Sequence, residues 1–285
     1  MKSDADLQQL ARTWGASQVP FGLMSDKDWV ETPAVQKAFT HLTQCAALRS
    51  VMLLSGPNGV GKSALAGRWM RSLDERIFHP LCLTQATLSG SGILSSLTAK
   101  LGKPASFRRE RNLQLIEESL EELDRRILLI VLDEAQNYTH GSLEEVRLLL
   151  GLNLPQAPAF ALILIGDEYL LSTLKLRNHR ALYSRLACQM SLPPWTPDQC
   201  AQYLSAALQS AGLSSQMIEP SAIELLSSAS AGLSRSLNLL ARAAWIAAAT
   251  QGAQKIGAAH VQSAMETVPC VPGLHVGAAA GETSV

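Results

Sequence analysis

The sequence predicts an α/β fold, a parallel five-stranded sheet with helices on both faces, followed by a small all-α domain. Three observations lead there. Five short apolar runs, at 51–54, 77–83, 127–132, 160–165 and 187–192, alternate with segments of helical periodicity. The run Ile127–Leu132 contains no polar residue, the mark of a strand covered on both faces. From Pro193 onward the strand pattern stops and only helical patterns remain.

The elements follow in order. Val51–Leu54 runs into Gly56-Pro57, a buried strand and then a loop. Lys62–Leu73 carries helical periodicity, Ile77–Leu83 reads as a second strand, and Ile93–Leu101 and Leu113–Arg125 read as helices. Phe160–Ile165 is a continuous apolar strand, and Ala187–Leu192 a weaker one. Past Pro193-Pro194, Thr196-Pro197-Asp198-Gln199 is a helix start, with a Thr cap, Pro at the first position and Gln at the third. That helix ends near Gly212. Two more cover about Ser221–Ser230 and Arg235–Thr250, and a fourth begins near Ala258. The expected organisation is an N-terminal extension over 1–18, an α/β domain over 19–192, a helical lid over 193–269 and a loose small-residue tail over 270–285.

Composition narrows the function classes. A chain of 285 residues, 47% apolar, buries a full core and excludes global disorder. Lys plus Arg equals Asp plus Glu at 24 each, so any nucleic-acid contact must come from a local patch. Cys45, Cys82, Cys188, Cys200 and Cys270 form no C-x-x-C pair and are odd in number, as in reduced thiols of a cytoplasmic protein. The six histidines show no metal-ligand spacing. No apolar run approaches the ~20 residues of a membrane span, so no membrane association is expected.

Two motifs carry chemistry. Gly56-Pro57-Asn58-Gly59-Val60-Gly61-Lys62-Ser63 fits G-x-x-x-x-G-K-[ST] without a gap, after a strand and before a helix. The glycines let backbone N–H groups turn onto phosphate oxygens. The helix that follows, entered through Ser63 and Ala64, points its positive end at the same anion. Lys62 supplies charge to the β and γ phosphates, and Ser63 a hydroxyl to Mg²⁺. The second motif is the strand Ile127–Leu132 ending in Asp133-Glu134, at the sheet edge where ligands of open α/β folds sit. There Asp133 can hold the Mg²⁺ shell and Glu134 can orient or deprotonate the attacking water of ATP hydrolysis. A strand leaving the core with two solvated acids is the alternative, and the phosphate loop argues against it. The intervening strand at 77–83 leaves room for one inserted strand in the sheet, the arrangement of hydrolytic P-loop enzymes (ASCE).

With these motifs the sequence resembles the AAA+ ATPases of the ExeA, TniB and TnsC group. The resemblance rests on the phosphate loop, Leu132-Asp133-Glu134-Ala135-Gln136, the stretch Leu164–Leu170, Ser184-Arg185-Leu186 and Gly232–Leu240. The entry segment Pro20-Phe21-Gly22-Leu23 and the last helix, Ala258–Ala264, extend it from about Val19 to Pro269. It implies ATP bound between subunits of a homo-oligomer, Arg185 as the arginine finger and Arg235 as the second sensor. One position departs from the group. Asp167 stands where many relatives carry Gln, Asn or Thr, and an acid beside a γ-phosphate is repulsive, which implies slow hydrolysis stimulated by the oligomer or DNA. The transposition-type members bind duplex DNA and hand it to a transposase, whereas the secretion-type members act on a protein partner at the membrane or cell wall. The cluster Lys100, Lys103, Arg108, Arg109 and Arg111 is the candidate DNA surface, through backbone-directed contacts poor in sequence readout. Lys175, Arg177 and Arg180 form a second basic cluster.

Overall fold

A computed structural model describes residues 4–22, 29–84, 89–152 and 158–268. In chain order the elements are α1 (Asp4–Thr13), α2 (Pro33–Ala47), β1 (Val51–Ser55), α3 (Lys62–Ser72), β2 (Phe78–Leu83), α4 (Gly90–Lys100), α5 (Arg109–Glu122), β3 (Ile127–Leu132), α6 (His140–Leu149), β4 (Ala161–Ile165), α7 (Leu170–Lys175), α8 (Arg180–Tyr183), β5 (Leu186–Ser191), α9 (Pro197–Ser210), α10 (Pro220–Ser230), α11 (Ser234–Thr250) and α12 (Ala258–Thr267). They form two compact units. Residues 33–193 make one; the residues up to 32 and from 194 make the other. The tail expected over 270–285 and the last residue of the entry segment, Leu23, lie outside the described residues.

The first unit is the α/β body. Its strands are ordered β2-β3-β4-β1-β5, and every pairing is parallel. β3 therefore does not neighbour β1; β4 lies between them. β1 and β4 are wholly buried, and β3 is buried from Leu128 to Leu132. Alternate residues face opposite ways along a strand. Leu53, Leu128, Ile130, Leu132, Leu162 and Leu164 pack with Ile93, Leu94 and Leu97 of α4, Ile116 of α5 and Val146 of α6. α2 lies against β1, β3, β4 and β5, and the buried Trp69 of α3 donates its Nε1–H to Thr43 of α2 at 3.0 Å. Helices thus cover both faces. The sequence reading assigns no helix to residues 33–47 or 140–149, although α2 buries Val35, Ala38, Leu42, Cys45 and Ala46 at helical spacing.

The second unit is helical. Cys200, Tyr203 and Leu204 of α9, Leu226 of α10, Leu237, Leu240 and Trp245 of α11 and Val261 of α12 share one core. The predicted start of α9 is present: the Thr196 hydroxyl accepts from the Gln199 N–H, and the Gln199 side chain accepts from the Thr196 N–H. The N-terminal stretch, expected as an extension with residues from 19 joining the sheet, belongs to this unit instead. Leu7 and Ala11 of α1 enter the helical core, and Trp14 meets Trp245 edge to face at 6.4 Å. The Ser17 N–H donates to the Ala211 carbonyl at 2.8 Å. The physical reason is the amphipathic face of α1, which must be buried against an apolar surface and finds it on α11. Among the described residues, no helix is long and apolar enough to cross a membrane.

Candidate nucleotide site

The parallel register brings the ends of four strands to one sheet edge. Leu54 pairs with Ile165, Leu132 with Leu164, and Ser55 with Ser191. Residues 56–63 leave β1 at this edge, Asp133-Glu134 leave β3, and Gly166-Asp167 leave β4 between them. At ~4.8 Å per strand, the glycine turn and the acid pair are about 10 Å apart across the sheet. A triphosphate with its metal spans such a gap.

The turn is built for backbone approach. Gly56 has φ +149°, and a Cβ there would lie 2.6 Å from the Leu192 carbonyl oxygen at the end of β5. Gly61 caps α3 with φ 105° and provides no side-chain acceptor. The amides of a helix's first turn, here at Lys62, Ser63 and Ala64, lie outside the helix's own hydrogen-bond ladder and point out of its N-terminus, which suits them to an anion. Lys62 is buried, and its Nζ donates to the carbonyls of Gly56 at 2.8 Å and Pro57 at 3.0 Å. The lysine is thereby stored against the loop it would serve. Ser63 is exposed on the first turn of α3. A hydroxyl and the Asp133 carboxylate are hard oxygen donors of the type Mg²⁺ takes, so the residues fit that ion.

The acid pair is held by a local hydrogen bond. Asp133 Oδ1 accepts from the Glu134 N–H at 2.9 Å, and Glu134 sits at φ 52°, in the left-handed region that a residue with a side chain rarely occupies. Below the pair, Tyr138 donates its hydroxyl to the Leu83 carbonyl at 3.1 Å. Burial raises its pKa, with Cys82 and Asp133 adding to the effect. Asp167, expected to face the γ-phosphate, uses Oδ1 to accept from the N–H groups of Tyr169 and Leu170, both at 3.0 Å. That oxygen therefore holds the two amides of the turn that leads into α7, a local role that the sequence reading did not recognise.

Arg185 immediately precedes β5, whose first residue pairs with Val51 at the start of β1. It therefore lies at the sheet edge opposite the glycine turn, a strand length of roughly 17 Å away. Its Nη1 donates to the Arg147 carbonyl at 2.6 Å. Arg235 is exposed on the first turn of α11 in the helical unit. Its turn is set by Gly232, at φ +71°, where a Cβ would lie 2.2 Å from the Trp195 carbonyl oxygen. Asn238, one turn on, accepts from the Tyr203 hydroxyl at 2.5 Å and donates to the Gly22 carbonyl at 3.3 Å. The asparagine of the 232–240 segment is thus a strut between α9 and the entry segment.

The first basic cluster is less cationic than its sequence. Arg109 forks onto Glu145 with two contacts of 2.8 Å, Lys103 pairs with Glu122 at 2.5 Å, and Arg111 lies 3.5 Å from Glu118. These acids come from α5 and α6 and cannot be read from the five-residue spacing. Lys100 and Arg108 have no acidic partner within 4.0 Å among the described residues. Phe107, next to Arg108 in the chain, is fully exposed and breaks the purely cationic character of the loop. In the segment 169–191, which holds Lys175, Arg177 and Arg180, there is no acid at all.

Residues 46–174 match the family model described as an AAA domain. Over 212 residues the chain is 26% identical to general secretion pathway protein A of Aeromonas hydrophila, covering 72% of this chain and 38% of that protein. The chain thus spans under two fifths of that relative. The fold is similar to Cdc6p of Pyrobaculum aerophilum, with TM-score 0.69 and 18% identity over 87% of this chain and 70% of the other. It is also similar to the ORC1 protein of Aeropyrum pernix, solved in complex with DNA, with TM-score 0.67 and 20% identity over 86% and 68%. The parallel five-stranded sheet with helices on both faces and a helical C-terminal part is the P-loop AAA+ fold.

Proposed function

We propose that this chain is an AAA+ ATPase that assembles head to tail on duplex DNA in its ATP state and regulates a transposase. The observation that carries the proposal is the shared sheet edge, with the glycine turn and the Asp133-Glu134 pair flanking the end of β4. Residues Gly56 to Ala64 bind the triphosphate through backbone amides and the Lys62 ammonium. Ser63 and Asp133 hold Mg²⁺, which would offset charge on the phosphate oxygens. Glu134 orients the water and takes its proton. Arg185, on the far edge of the sheet, serves the triphosphate of a neighbouring subunit, and Arg235 contacts phosphate from the helical unit. One face meeting a different face generates a ring or a helix of subunits.

Duplex binding is supported by the DNA-bound ORC1 relative in fold, and the contacts we assign are to backbone phosphate. Within the cluster at 100–111, Lys100 and Arg108 need no ion pair broken, whereas Lys103, Arg109 and Arg111 must exchange an acid for a phosphate. A ring repeats even one such contact in every subunit, so weak contacts sum. Fluorescence anisotropy of a labelled duplex tests this reading, with the protein in Mg²⁺-ATP, in ADP and without nucleotide. We expect binding in ATP, retained by Glu134→Gln and lost in Lys62→Ala. Equal binding in all states, or none at low salt, rejects it.

The secretion-pathway relative favours a second reading, an ATPase of the same chemistry acting on a protein partner at the membrane or cell wall. Co-purification with an inner-membrane protein and a preparation free of nucleic acid would support it over the first.

A further inference from the structure

Gln136 occupies the 3₁₀ turn Ala135–Asn137 directly after the acid pair and is half-buried. Its Nε2 donates to Glu134 Oε2 at 2.7 Å, and its Oε1 accepts from the Asp167 N–H at 3.2 Å. The two partners fix which way the amide points. A carboxylate offers only acceptors and a backbone N–H only a donor. The side chain therefore bridges the end of β3 to the end of β4. Space for the bridge is made by Gly166, where a Cβ would lie 2.8 Å from Gln136 Oε1 and 2.4 Å from Leu170 Cδ2. Glu134 is thus held from two directions, its N–H by Asp133 and its carboxylate by Gln136. A glutamate at positive φ needs such support to keep one orientation.

We infer that Gln136 is the positioning residue for Glu134, and that it couples the Glu134 carboxylate to the Gly166-Asp167 end of β4. This rests on the reading of Glu134 as the group that orients the attacking water. The amide takes one lone pair of Oε2 and fixes the carboxylate plane, leaving Oε1 for the water. Gln136 acts through Glu134, so its loss reduces turnover without weakening nucleotide binding. Any shift of the β4 end is transmitted through the Asp167 N–H to the carboxylate.

The experiment is steady-state phosphate release by the full chain in Mg²⁺-ATP with duplex DNA, in a double-mutant cycle of Gln136→Met with Glu134→Gln. Gln136→Glu is run beside it, because it keeps the length and the acceptor for Asp167 but removes the donor to Glu134. We expect both position-136 variants to lower kcat about 10- to 100-fold, a range known for residues that orient a reacting group. KM and the melting temperature stay at wild-type values. In the Glu134→Gln background, Gln136→Met adds no further loss. Unchanged kcat in both variants overturns the inference, as does a loss of equal size in the Glu134→Gln background or a shift confined to KM. If Glu134→Gln itself turns over at the wild-type rate, the assignment of Glu134 fails and the inference falls with it. That outcome is read from the single variant alone, so the two failures are distinguishable.

Discussion

Replacing Gly56 with alanine tests the central geometry, the close approach of the glycine turn to the end of β5. The residue has φ +149°, and an added Cβ would meet the Leu192 carbonyl oxygen at 2.6 Å and the Val60 side chain at 3.4 Å. Comfortable Cβ contacts begin near 3.4 Å, so the Leu192 carbonyl must retreat by about 0.8 Å. That carbonyl cannot move freely, because the Leu192 N–H is bonded to the Ser55 carbonyl at 2.8 Å. Backbone strain at positive φ costs of order 1–3 kcal/mol, and overpacking adds a similar amount, so a loss of about 3 kcal/mol is expected. For a unit of this size that lowers the melting temperature by roughly 6–12 °C. The control is Gly67→Ala. Gly67 lies inside α3, its Cβ would touch only Arg71 Nη1 at 3.6 Å, and alanine there should stabilise by about 0.5–1 kcal/mol. Thermal unfolding of the three proteins, followed by circular dichroism, reads both effects. Equal melting temperatures for wild type and Gly56→Ala would refute the close approach. A fall in both variants would show that the helix, not the turn, is sensitive.

Other expectations follow from the same structure. Asp167→Ala removes the acceptor that serves the Tyr169 and Leu170 amides and should cost about 1 kcal/mol in denaturant unfolding. Asp167→Asn keeps an acceptor and should cost about a few tenths of a kcal/mol; equal losses in the two variants would dismiss this role for the Asp167 oxygen. The Cys45 thiol is pushed up to about 11, chiefly by burial and then by the neighbouring Cys188 thiol. Its folded pKa is above the unfolded value of ~8.5, so the stability it contributes is intact below that pH and is lost as pH rises toward about 11. Unfolding free energy measured between pH 8 and pH 10.5 should therefore fall with a slope that Cys45→Ala reduces, and an unchanged slope would contradict the assignment.

The phosphate loop and the acid-ended strand were legible because each is a local pattern. Six consecutive apolar residues followed by Asp133-Glu134 read as a buried strand reaching a polar edge, and the glycine spacing at 56–61 is recognised within eight residues. The capping box at Thr196 was equally local, closing within four residues. The helix over 33–47 was legible too, in the spacing of Val35, Ala38, Leu42 and Cys45 and in the Thr32-Pro33 start, and the sequence reading passed over both.

What the sequence by itself determined, then, was the set of elements and the residue types at their ends, since periodicity, caps and turns act over a few residues. Tertiary structure decided which ends meet. The order β2-β3-β4-β1-β5 inserts β4 between the glycine turn and the acids, and only that order brings Gln136, Gly166 and Asp167 together. The same long-range packing moved α1 to the helical unit, placed Arg185 at the opposite sheet edge and gave Lys103, Arg109 and Arg111 their acidic partners. The reason is physical. A strand's neighbours and a charge's partner depend on contacts between segments far apart in the chain, and a local residue pattern carries no record of them.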